Sequence, residues 1–133
     1  QYIGTASYSG LVSNKDVKFF LDKYDNIYYG GYINGNTLDD GLILFNGTYS
    51  GGYEGIIIKF NSTGDSIWGQ YLGDSGNTRI NSIFVDENNN IYATGYLYSN
   101  ITGDNLISFS GNHSGSSEGY FTKFSPLYVG EWL

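Results

Sequence analysis

Cysteine and methionine are absent from this 133-residue chain, and proline occurs once. Without cysteine there is neither a disulfide framework nor a thiolate metal site. Basic residues are few: Lys15, Lys18, Lys23, Lys59, Arg79 and Lys123 face thirteen acidic ones, for a net charge of −7. No basic stripe is present to neutralise phosphates, which argues against nucleic acid and against anionic membrane surfaces as partners. Apolar runs stop at about five residues, too short for a membrane-spanning helix. The i, i+3, i+4 apolar pattern of an amphipathic helix is also missing, so helices should be rare.

What the chain has instead is 18% aromatic residues, fourteen of them tyrosine, and 20 glycines. Aromatics, β-branched residues and turn formers together indicate a β-rich fold. Many aromatics and few charges are the opposite of a disordered composition. An acidic, cysteine-free chain rich in Asn, Ser, Thr, Tyr and Gly suits an extracellular protein of a microbe. Gln1 and the absence of methionine fit a processed or excised segment from which an export signal has been removed.

The sequence repeats itself. Residues 22–68, moved forward by 64 positions, fall on residues 86–132 without a gap, and about 19 of the 47 pairs are identical. Asp22 falls on Asp86, Asn26-Ile27-Tyr28 on Asn90-Ile91-Tyr92, Gly31-Tyr32 on Gly95-Tyr96, Glu54-Gly55 on Glu118-Gly119 and Trp68 on Trp132. A fixed period of this size marks solenoids, propellers or arrays, whose units bury their apolar faces against one another. The ends extend the register: Trp132-Leu133 followed by Gln1-Tyr2-Ile3-Gly4 repeats Trp68-Gly69-Gln70-Tyr71-Leu72-Gly73. The chain therefore reads as one turn of a two-unit cycle cut within an element. Either the two ends meet in one molecule, or each completes an element of a neighbouring copy.

Four strand-like segments are expected in the first unit, at 26–33, 55–60, 66–72 and 79–85, separated by Asn-, Asp- and Gly-rich turns. Isoleucines 56–58 form a near-continuous apolar run, as expected for a strand covered on both faces. The connection at 34–50 and its counterpart at 98–114 are expected to be large loops. Four antiparallel strands per unit is the pattern of a propeller blade. The expected fold is therefore all-β, with two blades per chain: a first at 1–85 and a second at 86–133, the latter incomplete without a partner strand.

The strings Asp22…Asn26-Ile27-Tyr28…Gly31-Tyr32, Phe45, Gly51-Gly52-Tyr53-Glu54-Gly55…Lys59-Phe60 and Gly64…Trp68-Gly69-Gln70-Tyr71-Leu72-Gly73 resemble the SBBP-type β-propeller repeat family, in two tandem copies. Three features depart from that family's pattern. Its aspartate after the glycine pair is Glu54 and Glu118 here, its glycine before asparagine is Asp25 and Asn89, and the proline after its phenylalanine is absent. The resemblance implies blades and a secreted or cell-surface setting, and no shared catalytic residues.

Site candidates are few. Asp22, Asp25, Asp86 and Asn88 sit in tight turns with the oxygen-rich chemistry that calcium takes. The competing reading is that these side chains cap the turn backbone, with Asn26 and Asn90 at positive φ. Glu54 and Glu118 are repeat equivalents expected to accept backbone N–H bonds at a strand start. His113, the one histidine, lies in a polar loop without a partner to make it a general base. Tyr29, Tyr49, Tyr53, Tyr96 and Tyr98 are candidates for stacking on sugar rings. Four N-glycosylation sequons begin at Asn46, Asn61, Asn100 and Asn112, against roughly two or three expected by chance. No cofactor and no catalytic set are expected. Two blades cannot close a ring, which needs about four to eight. The expected partners are copies of the same chain, joined head to tail through Gln1, Tyr2, Ile3, Gly4, Trp132 and Leu133 as a surface fibre, sheath or ring. The alternative is a glycan-binding or adhesive propeller of a few copies.

Overall fold

The structure, a computed structural model, describes residues 18–34, 45–46, 49–73, 77–98 and 114–124. The assembly candidates Gln1–Gly4 and Trp132–Leu133, the sequons at Asn100 and Asn112, and His113 lie outside these residues.

All regular structure among the described residues is β, in two sheets. The strands are β1 (Lys18–Leu21), β2 (Ile27–Ile33), β3 (Phe45–Asn46), β4 (Glu54–Phe60), β5 (Ser66–Leu72), β6 (Arg79–Val85), β7 (Ile91–Leu97) and β8 (Glu118–Phe124). The first sheet has the order β1-β2-β4-β5-β3 and the second β6-β7-β8. Both are antiparallel except at β3, which pairs parallel with β5 through Phe45↔Gly69 and Asn46↔Gln70. No described helix is long and apolar enough to cross a membrane.

The architecture corrects the expected boundaries in three places. Arg79–Val85 belongs to the second sheet, because the Asp86–Asn90 turn folds it directly onto β7, Val85↔Ile91. The break between units therefore falls before residue 79, not after residue 85. The first sheet gains its fourth antiparallel strand from β1, a four-residue segment, Lys-Phe-Phe-Leu, that joins β2 by Leu21↔Ile27. The 34–50 connection, expected to be a loop, contributes the short β3.

Side-chain alternation gives each strand two faces. In the first sheet Tyr28, Gly30, Ile57, Trp68 and Leu72 point one way, and Tyr29, Ile33, Ile56, Ile58 and Tyr71 the other. The first set packs against Ile80, Ile83, Val85, Ile91, Ala93, Leu97 and Tyr120 of the second sheet, forming one buried seam. Both faces of β4 are buried, which accounts for its unbroken isoleucine run. Each buried Ile or Leu side chain contributes about 1.5–3 kcal/mol, so this seam is the main source of cohesion between the sheets.

Glycines set how closely the sheets approach. A Cβ on Gly30 would lie 2.5 Å from Ile83 Cγ2, and one on Gly55 would lie 3.1 Å from Ile80 Cγ1. Two isoleucines of β6 thus sit in notches left by two glycines. Gly30→Thr, which installs the residue found 64 positions later, should push Ile83 out of its notch at a cost of about 1–3 kcal/mol. Urea denaturation followed by tryptophan fluorescence measures this, and an unchanged midpoint would show that the notch does not hold the sheets together.

Candidate functional site

Three hairpins of the chain turn in the same way. The carbonyls of Asp22, Asn61 and Asp86 accept the N–H of Asp25, Gly64 and Asn89, at 3.1, 3.0 and 3.0 Å. The residue at the fourth position is left-handed in each, with φ of 62° at Asp25, 89° at Gly64 and 63° at Asn89. Asp and Asn tolerate that region better than other L-residues, although glycine fits it best. Sequence reasoning placed positive φ one residue too late, at Asn26 and Asn90. The left-handed positions are those where the resembling family carries glycine.

The side chain opening each turn holds it shut. Asp22 Oδ1 accepts the N–H groups of Tyr24 and Asn26 at 2.8 and 3.0 Å, and Oδ2 accepts from Asn26 Nδ2 at 2.9 Å and Tyr28 Oη at 3.3 Å. Asp86 repeats this bond for bond: Asn88 and Asn90 N–H at 2.9 and 2.8 Å, Asn90 Nδ2 at 2.8 Å, and Tyr92 Oη at 3.1 Å. Asn61 Oδ1 accepts the N–H groups of Thr63 and Asp65 in the third turn. The calcium candidates Asp22 and Asp86 thus give four acceptor positions each to their own turns. Asp25 supplies the left-handed corner, and Asn88 a backbone donor. Both aspartate turns flank a groove of about 140 Å³ lined in part by Lys23 and Glu87. Among the described residues no group of three or more metal-capable side chains comes together.

Glu54 and Glu118 also do equivalent work. Glu54 Oε2 accepts the Ser50 N–H at 2.9 Å, and Glu118 Oε1 accepts the Ser114 N–H at 2.9 Å and its hydroxyl at 2.6 Å. These are clasps over the approach to β4 and β8. Of the sequon asparagines, Asn61 lies in the third turn with its Nδ2 donating to Asp65 at 3.1 Å, and Asn46 lies in β3.

One cluster escaped sequence reasoning. Arg79, the single arginine of the chain, opens β6 at the end of the seam. Its guanidinium carbon lies 4.5 Å from the Tyr32 ring centre, 4.8 Å from Tyr53 and 5.5 Å from Tyr96. Tyr32 and Tyr96 are repeat equivalents, one on each sheet, so the guanidinium bridges matching rings. Tyr53 meets Tyr32 edge-on at 5.8 Å, and the exposed Tyr98 meets Tyr96 edge-on at 5.8 Å. Tyr120 Oη donates to the Arg79 carbonyl at 2.9 Å beneath Gly95, where a Cβ would overlap that carbonyl. Of the sugar-stacking candidates, this end of the seam gathers Tyr53, Tyr96 and Tyr98. Tyr29 and Tyr49 are elsewhere: burial pushes the Tyr29 hydroxyl up to about 12, and Tyr49 packs beside Tyr71 with its hydroxyl donating to the Gly52 carbonyl. The signal available in the sequence was a lone arginine in a chain whose tyrosines recur in register.

Residues 67–102, from β5 through β7, match the beta-propeller repeat family SBBP. Over that stretch the chain is similar to an SBBP-type repeat. The match covers one stretch of the chain, rather than the two copies that the sequence resemblance implies. It runs from the last long strand of the first sheet across the break into the second, so it takes in the strand that supplies Ile80 and Ile83 to the seam. No curated protein matches the chain. The likeness to a repeat family fits the two blade-like sheets of the fold.

Two outcomes follow from these contacts. Partial burial raises the Asp22 carboxyl most, but the Asn26 side chain and the N–H groups of Tyr24 and Asn26 outweigh it and hold it below the usual range. Asp86 is held low first by the Asn90 side chain. Carboxylates depressed on folding stabilise the fold above their unfolded pKa of about 4, and that stability is lost as pH falls through their folded values. The urea midpoint should therefore fall below about pH 4. In the Asp22→Asn/Asp86→Asn double variant this acid limb should be shallower and stability at neutral pH lower; an unaltered limb would remove the clasps from the account. Arg79→Lys keeps the charge but loses the flat stack, and should cost about 1–2 kcal/mol by the same measurement.

Proposed function

We propose that the chain is a non-catalytic structural repeat unit of an extracellular microbial assembly, a fibre, sheath or ring in which copies join head to tail. The observation that carries this reading is the duplication of purely architectural chemistry. Asp22 and Asp86, Glu54 and Glu118, and Asn26 and Asn90 recur at the repeat interval and make matching bonds within their own turns. Recurring polar residues of this kind build a unit that is made to be stacked.

Two further features support the reading. Among the described residues β8 has a strand neighbour on one side only, whereas its counterpart β4 lies between β2 and β5. An edge of that kind invites another strand. The acidic balance and the abundance of Asn, Ser, Thr and Gly fit an extracellular setting.

A second reading is favoured by one specific observation. Tyr53, Tyr96 and the exposed Tyr98 gather with Arg79 where the sheets meet, and aromatic rings beside a planar donor suit a glycan. Negative-stain electron microscopy of purified protein tests the first reading. Filaments, sheets or closed rings are expected, and monomers alone at micromolar concentration would overturn it. A glycan array tests the second, which a flat response removes.

A further inference from the structure

Residues 64 apart make the same turns but occupy opposite environments. In the first sheet, the face that carries Phe20, Tyr28, Gly30, Ile57 and Lys59 is covered by the second sheet. The counterparts in the second sheet are Phe84, Tyr92, Thr94, Phe121 and Lys123, and register places them on one face. Among the described residues nothing covers that face: Phe84 is 55% and Phe121 64% exposed, and Thr94 and Lys123 are exposed as well.

The open face is already organised. Tyr92 stacks on Phe121 with ring centres 5.9 Å apart and meets Phe84 at 6.2 Å. The Lys123 ammonium lies 5.5 Å from the Tyr92 ring, as that of Lys59 lies 5.2 Å from Tyr28 in the buried seam. Phe20 meets Phe84 edge-on at 5.2 Å, so the aromatic strip continues directly from the internal interface. Contiguous apolar faces of this kind mark interaction sites.

The surface that would cover it can be identified by the same correspondence. The second sheet covers the first partly through Ile83 and Val85 of β6. Their counterparts in β1 are Phe19 and Leu21, 67% and 62% exposed. The rest of that face, Tyr29, Ile33, Ile56 and Ile58, is buried, with Tyr49 packed against it. Among the described residues β1 is thus the part of the face left open, with Phe19 set edge-on to Tyr29 at 5.5 Å.

We infer that the Phe84–Tyr92–Phe121 face of one copy receives the Phe19–Leu21 edge of a second copy, front to back, in a contact that rests on the assembly reading above. The two surfaces differ, so each copy carries one of each and the contact propagates. It is not a replica of the internal seam. Thr94 fills the notch that Gly30 leaves, and Phe19 stands where Ile83 stood, so the intermolecular seam is wider and relies on ring-to-ring contact.

Sedimentation velocity over a wide concentration range tests this with the full chain, Phe121→Glu and Phe19→Glu. Both positions are exposed, and circular dichroism with urea midpoints verifies that the variants fold. The unsubstituted chain should grow in mass with concentration, while each variant loses about tenfold or more in association constant. An equimolar mixture of the two variants retains one intact pair of surfaces, so it should yield a one-to-one dimer and nothing larger. Assemblies that survive both substitutions would overturn this contact and leave the assembly reading standing. Loss of association in Phe121→Glu alone would overturn the assignment of Phe19 and Leu21. A chain that stays monomeric at every concentration would remove both.

Discussion

The structure depends on the seam where two isoleucines of β6 enter notches left by Gly30 and Gly55. Glycine in a strand interior is a local weakness, since it contributes no side chain and loses more chain entropy on folding. Here its cost is offset by the approach it permits. The sheets close until Ile80 and Ile83 touch the facing backbone, and the apolar surface of Tyr28, Ile57 and Leu72 leaves water at the same time. A side chain at either glycine would hold the sheets apart and forfeit dispersion contacts along the interface, because packing energy falls steeply with small gaps. Each sheet is therefore dependent on the other. This is the physical content of a repeat whose units do not stand alone.

The polar chemistry obeys a different constraint, set by hairpin geometry. A strand pair joined by a short loop needs a left-handed residue at the corner and an acceptor for the N–H groups that face inward. Aspartate or asparagine at the first position meets the second need in all three turns, and Asp25, Gly64 and Asn89 meet the first. The turn explains why aspartates recur at the repeat interval. Each carboxylate is bound to its own loop. The lowered pKa values of Asp22 and Asp86 reflect local donors more than any shared site.

Much of the fold was legible because strand-forming residues are concentrated and turn residues are unambiguous. Apolar and aromatic runs located β2, β4, β5 and β6 to within a residue or so, and the repeat interval carried β2 and β4 forward to β7 and β8. What the sequence hid was partnership. Arg79–Val85 looks the same whether it closes one sheet or opens the next; only the tight turn at Asp86 decides. β1 is too short to announce itself by alternation, and β3 is two residues of parallel pairing inside a long connection. The Arg79 cluster joins residues 32, 53, 79 and 96, which no local pattern connects. The turn clasps, by contrast, are local, and their capping role was readable from spacing even though the left-handed residue was placed one position late.

The two units agree in their turns and differ at several positions where they must meet. Asp22 and Asp86, Asn26 and Asn90, Tyr28 and Tyr92, and Glu54 and Glu118 are unchanged across the repeat, and all serve turns or strand starts within a unit. At the faces Phe20 and Phe84, Tyr28 and Tyr92, and Lys59 and Lys123 are kept, but four pairs diverge: Gly30 against Thr94, Tyr29 against Ala93, Ile57 against Phe121, Phe19 against Ile83. A notch fits one partner only, and Ile83 has its match in Gly30 and not in Thr94. The units are therefore not interchangeable. Any assembly of this chain would have to alternate them in a fixed order, with one tight seam inside each copy and one wider seam between copies. The wider seam, formed by exposed rings without a glycine notch, is the weaker of the two, so such an assembly would come apart between copies before a single copy opens.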